Sequence, residues 1–198
     1  MISDKFVIVG AVLSMIGSST YIRHTIQGKT KPNRVSFFMW AFAALVAFGA
    51  ELHEHVGIQA FMTFVVGFSP LLIFFSSFVN KKSYWQITRF DLICGSLSLL
   101  GVILWLITRH GNIAIALTIA GDAIAGLPTF RKAFTHPETE SYFLFLMAFI
   151  NSSLVILTIK NWNFATYGFP IYIWLATLYL FIFVKFELGK KVQVKFAI

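Results

Sequence analysis

Acidic residues are scarce in this chain: Asp and Glu number 8 against 16 Lys and Arg in 198 residues, and charged side chains of both signs make up only 12%. A soluble domain carries roughly a quarter of its residues charged, so that class is excluded. The single cysteine, Cys94, excludes an intramolecular disulfide and leaves the redox compartment unread. There is no Gly-rich phosphate loop, no H-E-x-x-H, no G-x-S-x-G and no carboxylate pair at helical spacing inside the apolar runs. An enzyme is therefore not expected, and neither is a cofactor. A retinal-type lysine deep in the last apolar run is missing too, since Lys185 lies at its very end.

What fills the chain is apolar: 58% of residues are hydrophobic and the mean hydropathy is +0.78. An integral membrane protein is the class that fits. Seven runs are long enough to cross a hydrocarbon core, near Phe6 to Ile22, Val35 to Leu52, Ile58 to Val79, Phe90 to Thr108, Ile113 to Phe130, Ser141 to Ile159 and Tyr167 to Phe186. They are near-continuously apolar, without the alternation of barrel strands. The first is read as a span rather than a leader, because only Asp4 and Lys5 precede it and no small-x-small site follows.

The chain also contains itself twice. Thr30-Lys31-Pro32-Asn33-Arg34-Val35-Ser36-Phe37-Phe38 and Thr135-His136-Pro137-Glu138-Thr139-Glu140-Ser141-Tyr142-Phe143 both read T-x-P-x-x-x-S-aromatic-Phe, at an offset of 105 residues. Each copy sits in a polar loop between two apolar runs, the mark of a duplicated bundle. Thr135 with Glu138 fits a capping box and proline favours a first helical turn, so the motif is also expected to start the second helix of each copy.

Of the 16 Lys and Arg, 13 fall on one side of the alternating topology, and only Lys5, Arg109 and Lys160 fall on the other. Cytoplasmic loops carry the excess. The N-terminus is thus expected outside and the C-terminus in the cytoplasm, in a multi-pass protein of the plasma or bacterial inner membrane. The net charge of +8 then follows from topology and faces an anionic lipid leaflet, so nucleic acid is not implied. Because four crossings separate the two loops, the repeats are parallel. The expected fold is all-α, with seven transmembrane helices as two parallel three-helix repeats joined by a linker helix, three plus one plus three. The units are 1–80, a linker with the fourth helix at 81–111, the second repeat at 112–187 and a basic tail at 188–198.

This layout resembles the PQ-loop and SWEET group of seven-span membrane proteins. Asp122-Ala-Ile-Ala-Gly-Leu-Pro128-Thr129-Phe-Arg131-Lys132, followed by Thr135 to Ser141, looks like that family's helix-ending proline, basic turn and serine-started second helix. The resemblance implies bundles that rock around a central small-solute site, with the proline-bearing helices as hinge. The family's PQ glutamine is Thr129 here, and Tyr21-Ile22-Arg23 stands where the first repeat's proline region falls. The third and seventh spans contain no asparagine and the second and sixth do not end in tryptophan, so sugar specificity is not implied.

Asp122 is the leading site candidate. It lies ten residues from Asn112 at the outer mouth of its span, roughly 15 Å deep at the helical rise. An ionisable side chain there faces a cavity or a partner. Thr118, Asp122, Ala125, Gly126 and Thr129 share one helical face, a small and polar stripe that either lines a pathway or packs two helices closely. Asp122 would bind a solute amine or hydroxyl or carry a coupling proton, with Thr118, Thr129 and Asn151 as further contacts. Asn151, with Ser152 and Ser153, equally suits interhelical hydrogen bonding. Pro70 is a gate or hinge candidate, since it frees a backbone carbonyl in mid-span; the resemblance implies a hinge role for Pro128, whereas Pro170 is expected to start its helix. Glu51, His53 and His55 cluster at an outer end, but His53 would point away from the other two, so an interfacial turn is expected and no metal.

The residues together read as a carrier for a small polar solute that works by alternating access. The alternative class is a non-transporting membrane receptor or scaffold using the same bundle. A homo-oligomer is left open.

Overall fold

The computed structural model describes residues 6–53, 58–108 and 111–196. Lys5, His55 and Arg109 lie outside the described residues, as do the side chains of Glu51 and His53, so the metal-like cluster is not addressed. Among the described residues the chain is all-helical: α1 (Phe6–Ile26), α2 (Arg34–His53), α3 (Ile58–Ser76), α4 (Arg89–Thr108), α5 (Gly111–Thr135), α6 (Tyr142–Thr158), α7 (Phe164–Phe186) and α8 (Leu188–Phe196). Short 3-10 turns at Lys81–Ser83 and Pro137–Thr139 complete it.

Among the described residues four helices are long and apolar enough to cross a membrane: α1, α4, α5 over Asn112–Thr135 and α7 over Thr166–Phe186. Three more are apolar over shorter stretches, Arg34–Gly49, Thr63–Ser76 and Tyr142–Thr158. Large apolar side chains line the outside, with Ile107 74% exposed and Leu92 and Ile93 each 58% exposed. Such a surface suits hydrocarbon better than water.

The packing repeats itself. α3 packs on both α1 and α2, and α7 packs on both α5 and α6. Between the triplets α1 meets α6 and α2 meets α5, so one contact is the other with the triplets exchanged. α4 stands outside this exchange, against α5 and α2. Glycines set the close approaches: a Cβ on Gly10 of α1 would lie 2.1 Å from Asn151 Oδ1, and one on Gly101 of α4 would lie 3.2 Å from Gly121 Cα. Small residues let helix backbones approach at those two crossings.

Local chemistry fixes the helix starts. Asn33 Oδ1 accepts from the N–H groups of Val35 and Ser36, at 3.1 and 3.2 Å, and so caps α2. Thr88 and Asp91 cap α4 reciprocally, through Thr88 N–H to Asp91 Oδ2 at 2.6 Å and Asp91 N–H to Thr88 Oγ1 at 3.3 Å. Three readings of the sequence are corrected here. Thr135 does not cap α6: it closes α5, its hydroxyl donating to the Arg131 carbonyl at 3.0 Å, and α6 starts at Tyr142. Pro128 does not end its helix, because α5 runs on to Thr135. One missing N–H is tolerated where flanking residues such as Ala125 and Ala133 are packed against neighbours. Pro170 likewise lies inside α7, which begins at Phe164 with Asn163 and Thr166 forming its capping box.

Candidate functional site

A cavity of about 610 Å³ lies between the helices and takes wall residues from all of α1 to α7. Asp122, Thr118, Asn151 and Pro70 line it. Asp122 Oδ2 accepts a hydrogen bond from the Tyr172 hydroxyl of α7 at 2.7 Å. Trp40 of α2 donates its indole N–H to the Asp122 main-chain carbonyl at 3.3 Å. Among the described wall residues Asp122 is the one carboxylate, and no Lys, Arg or His joins it. Thr118 donates to the Ala114 carbonyl at 2.9 Å, and Ser152 donates to that of Phe149 at 3.0 Å. Their protons are thereby occupied and their lone pairs left over. Asn151 makes no side-chain hydrogen bond to another described residue, and its amide lies against Gly10.

Thr129 and Pro128 are placed elsewhere. Thr129 is fully buried, its hydroxyl has no partner, and neither residue is part of the cavity wall. The stripe read along α5 therefore divides. Thr118 and Asp122 face the cavity, while Gly126 packs under Trp40, whose ring would be 3.3 Å from an added Cβ.

Below the cavity, at the end where α1 turns into α2 and α5 into α6, polar groups close the bundle. Lys132 Nζ pairs with Glu140 Oε1 at 2.6 Å, with the two side chains only 1% and 0% exposed. The Tyr21 hydroxyl donates to Glu140 Oε2 at 2.7 Å, and Lys132 also donates to the Lys31 carbonyl. The Lys31 N–H donates to the Thr139 carbonyl at 2.9 Å. The two copies of the repeated loop are thus tied directly to each other, main chain to main chain and through hydrogen bonds that join the Lys31 carbonyl and the Tyr21 hydroxyl on the first copy's side to a buried ion pair held within the second. Trp85 covers the ammonium of Lys132 at 4.8 Å.

A second set of bonds surrounds this one. Asn33 Nδ2 donates to Asp91 Oδ1 at 3.2 Å. Arg34 donates to the Ser77 hydroxyl and carbonyl at 2.9 and 2.8 Å and stacks over Phe78 at 3.9 Å. Ser83 donates to the Thr25 carbonyl. At the rim, Lys190 of α8 pairs with Glu138 at 2.8 Å. Burial pushes the Glu138 carboxyl up, but the hydrogen bond and charge of Lys190, a main-chain bond and His136 outweigh it and hold the group below its usual range.

Reading the sequence found Asp122 and the loops but missed Tyr172, Trp40 and the triad of Tyr21, Lys132 and Glu140. The one available signal was a pair of acids, Glu138 and Glu140, in a loop region that otherwise carries basic residues. Set against known protein families, curated proteins and solved structures, the chain matches none of them.

Proposed function

We propose that the chain is a seven-span membrane protein built as two parallel three-helix repeats, α1 to α3 and α5 to α7, with α4 as linker, in the manner of the PQ-loop and SWEET group. It works as an alternating-access carrier for a small polar solute, with Asp122 as the central ionisable group. The observation that carries this reading is the cavity: a carboxylate faces an internal space walled by every long helix. Exchange of the triplets in the packing supports the repeat, and the ties between Lys31, Lys132 and Glu140 act as the closed gate at the basic, cytoplasmic end.

The test is uptake of a mixed small-metabolite pool into proteoliposomes, with and without a pH gradient, comparing the native protein with a folded Asp122→Asn variant. Flux that vanishes or loses its gradient dependence in the variant is the expected result. Absence of flux for every solute, with both proteins equally folded, would move the reading to a receptor or scaffold.

A further inference from the structure

The cavity's chemistry narrows the solute, on the reading that this cavity is a carrier's site. Asp122 accepts from Tyr172, yet a neutral phenol does not balance a carboxylate's charge. Among the described residues no Lys, Arg or His stands within ion-pairing distance of it. A charge left unpaired away from water is expensive, so a favourable occupant supplies the missing cation.

Donors and acceptors around the carboxylate point the same way. The Tyr172 hydroxyl, the Trp40 indole and the Thr118 hydroxyl all donate to protein acceptors already. What those three groups leave free beside the carboxylate is lone pairs, which an ammonium group, with donors alone, matches well. Among its mostly small and aliphatic wall residues the cavity also holds the aromatic side chains of Trp40, Trp105, Phe169 and Tyr172. Ring faces attract organic cations and bury apolar bodies. The volume of about 610 Å³ is in the range that holds one small organic molecule.

We propose that the solute is an organic monocation with an apolar body, its ammonium on Asp122 and its body against the aromatic side chains of the wall, with the Asn151 amide open to a polar substituent. Phenethylammonium, 2-phenylethanol and 3-phenylpropanoate present one body with a cationic, neutral or anionic end. Binding of each is measured by calorimetry on the full-length protein in nanodiscs, for the native chain, Asp122→Asn, Asp122→Glu and Asn151→Ala. The ammonium should bind at least about tenfold tighter than the alcohol, and the carboxylate should not bind. Asp122→Asn, which keeps an acceptor for Tyr172, should erase the preference while alcohol binding changes less than about twofold. Asp122→Glu should keep the preference for the cation.

Equal or tighter binding of the alcohol or the carboxylate, no binding of the ammonium to folded protein, or unchanged ammonium affinity in Asp122→Asn would each overturn the proposal. Counterflow in proteoliposomes separates the two readings. Selective ammonium binding without flux upholds the ligand class and defeats the carrier, whereas flux of neutral solutes without ammonium binding upholds the carrier and defeats the ligand class.

Discussion

Glu140→Gln is the substitution expected to damage the fold most for the least change in shape. Glu140 holds two partners, Lys132 at 2.6 Å and Tyr21 at 2.7 Å, and is itself out of contact with solvent. The amide keeps the volume and one acceptor, but Lys132 remains, 1% exposed, without its counter-charge. Removing one partner of such a pair costs roughly 3–5 kcal/mol, because the remaining charge stays desolvated. Tyr21→Phe removes only one charge-assisted hydrogen bond and should cost about 1.5–3 kcal/mol. Replacing both ions together, Lys132→Met with Glu140→Leu, should recover at least half of the single variant's loss, since no charge is then stranded. Each value is read from denaturant unfolding of the purified protein in micelles at neutral pH, from shifts in midpoint at a common slope. A loss below about 1 kcal/mol for Glu140→Gln is the behaviour of a solvated pair and would refute the reading of Lys132 and Glu140 as a buried ion pair that locks the two loops together.

Two further outcomes are expected. Gly10→Ala sets a Cβ 2.1 Å from Asn151 Oδ1 and 3.3 Å from its Cα, an overpacking cost of about 1–3 kcal/mol; adding Asn151→Ala should restore most of it in the same unfolding assay, and no loss in the single variant would mean that α1 and α6 are not in close contact. At the rim, Glu138 titrates below its usual range in the folded protein, so its contribution is present above the unfolded carboxylate value and disappears as pH falls through the folded one. A nitroxide on Val192→Cys in a Cys94→Ala background should therefore gain mobility on acidification, and Glu138→Gln should show the mobile spectrum at every pH; a native spectrum independent of pH would show that Lys190 and Glu138 do not hold α8.

The helical runs and the repeated loops were legible because both are local patterns: continuous hydropathy marks a helix, and a fixed offset marks a duplication. Asp122 was legible for the same reason, as a carboxylate inside an apolar run. Its partner Tyr172 was not, since it is fifty residues away and nothing nearby separates a cavity tyrosine from an interfacial one. Helical spacing assigned Thr129 to the face of Asp122, but spacing gives an azimuth and not what lies opposite. Trp40 comes across from α2 to the Asp122 carbonyl and Phe130 also reaches the cavity wall, while Thr129, between Asp122 and Phe130 in the chain, is buried away from it. Lys132 was counted as one more basic loop residue; burial came from Glu140 folding back over it after the 3-10 turn at Pro137–Thr139. The capping box of Thr135 and Glu138 failed because α5 extends through Thr135. In the first copy the capping role belongs to Asn33, while Thr30 bonds Thr25 at 2.8 Å.

Aligned on the repeated motif, the buried ion pair and the carboxylate of the cavity are each one-sided. At the offset of 105, Lys132 and Glu140 correspond to Gln27 and Val35, and Asp122 corresponds to Gly17. Both ions of the lock and the carboxylate of the cavity thus belong to the second copy. The first copy contributes main chain at Lys31 and the phenol of Tyr21, whose counterpart is Gly126. These first-copy groups connect the two places. Tyr21 packs on Phe37 at 5.4 Å, Phe37 meets Trp40 edge-on at 5.3 Å, and Trp40 donates to the carbonyl of Asp122. On the proposed carrier reading, parting the loops at Glu140 would free the tyrosine on which that aromatic run rests, and a solute displacing Trp40 would push along the same run in the other direction. A double-mutant cycle between Asp122→Asn and Tyr21→Phe, read in the unfolding free energy with and without phenethylammonium, distinguishes a connected pair from two independent sites, because independent sites add.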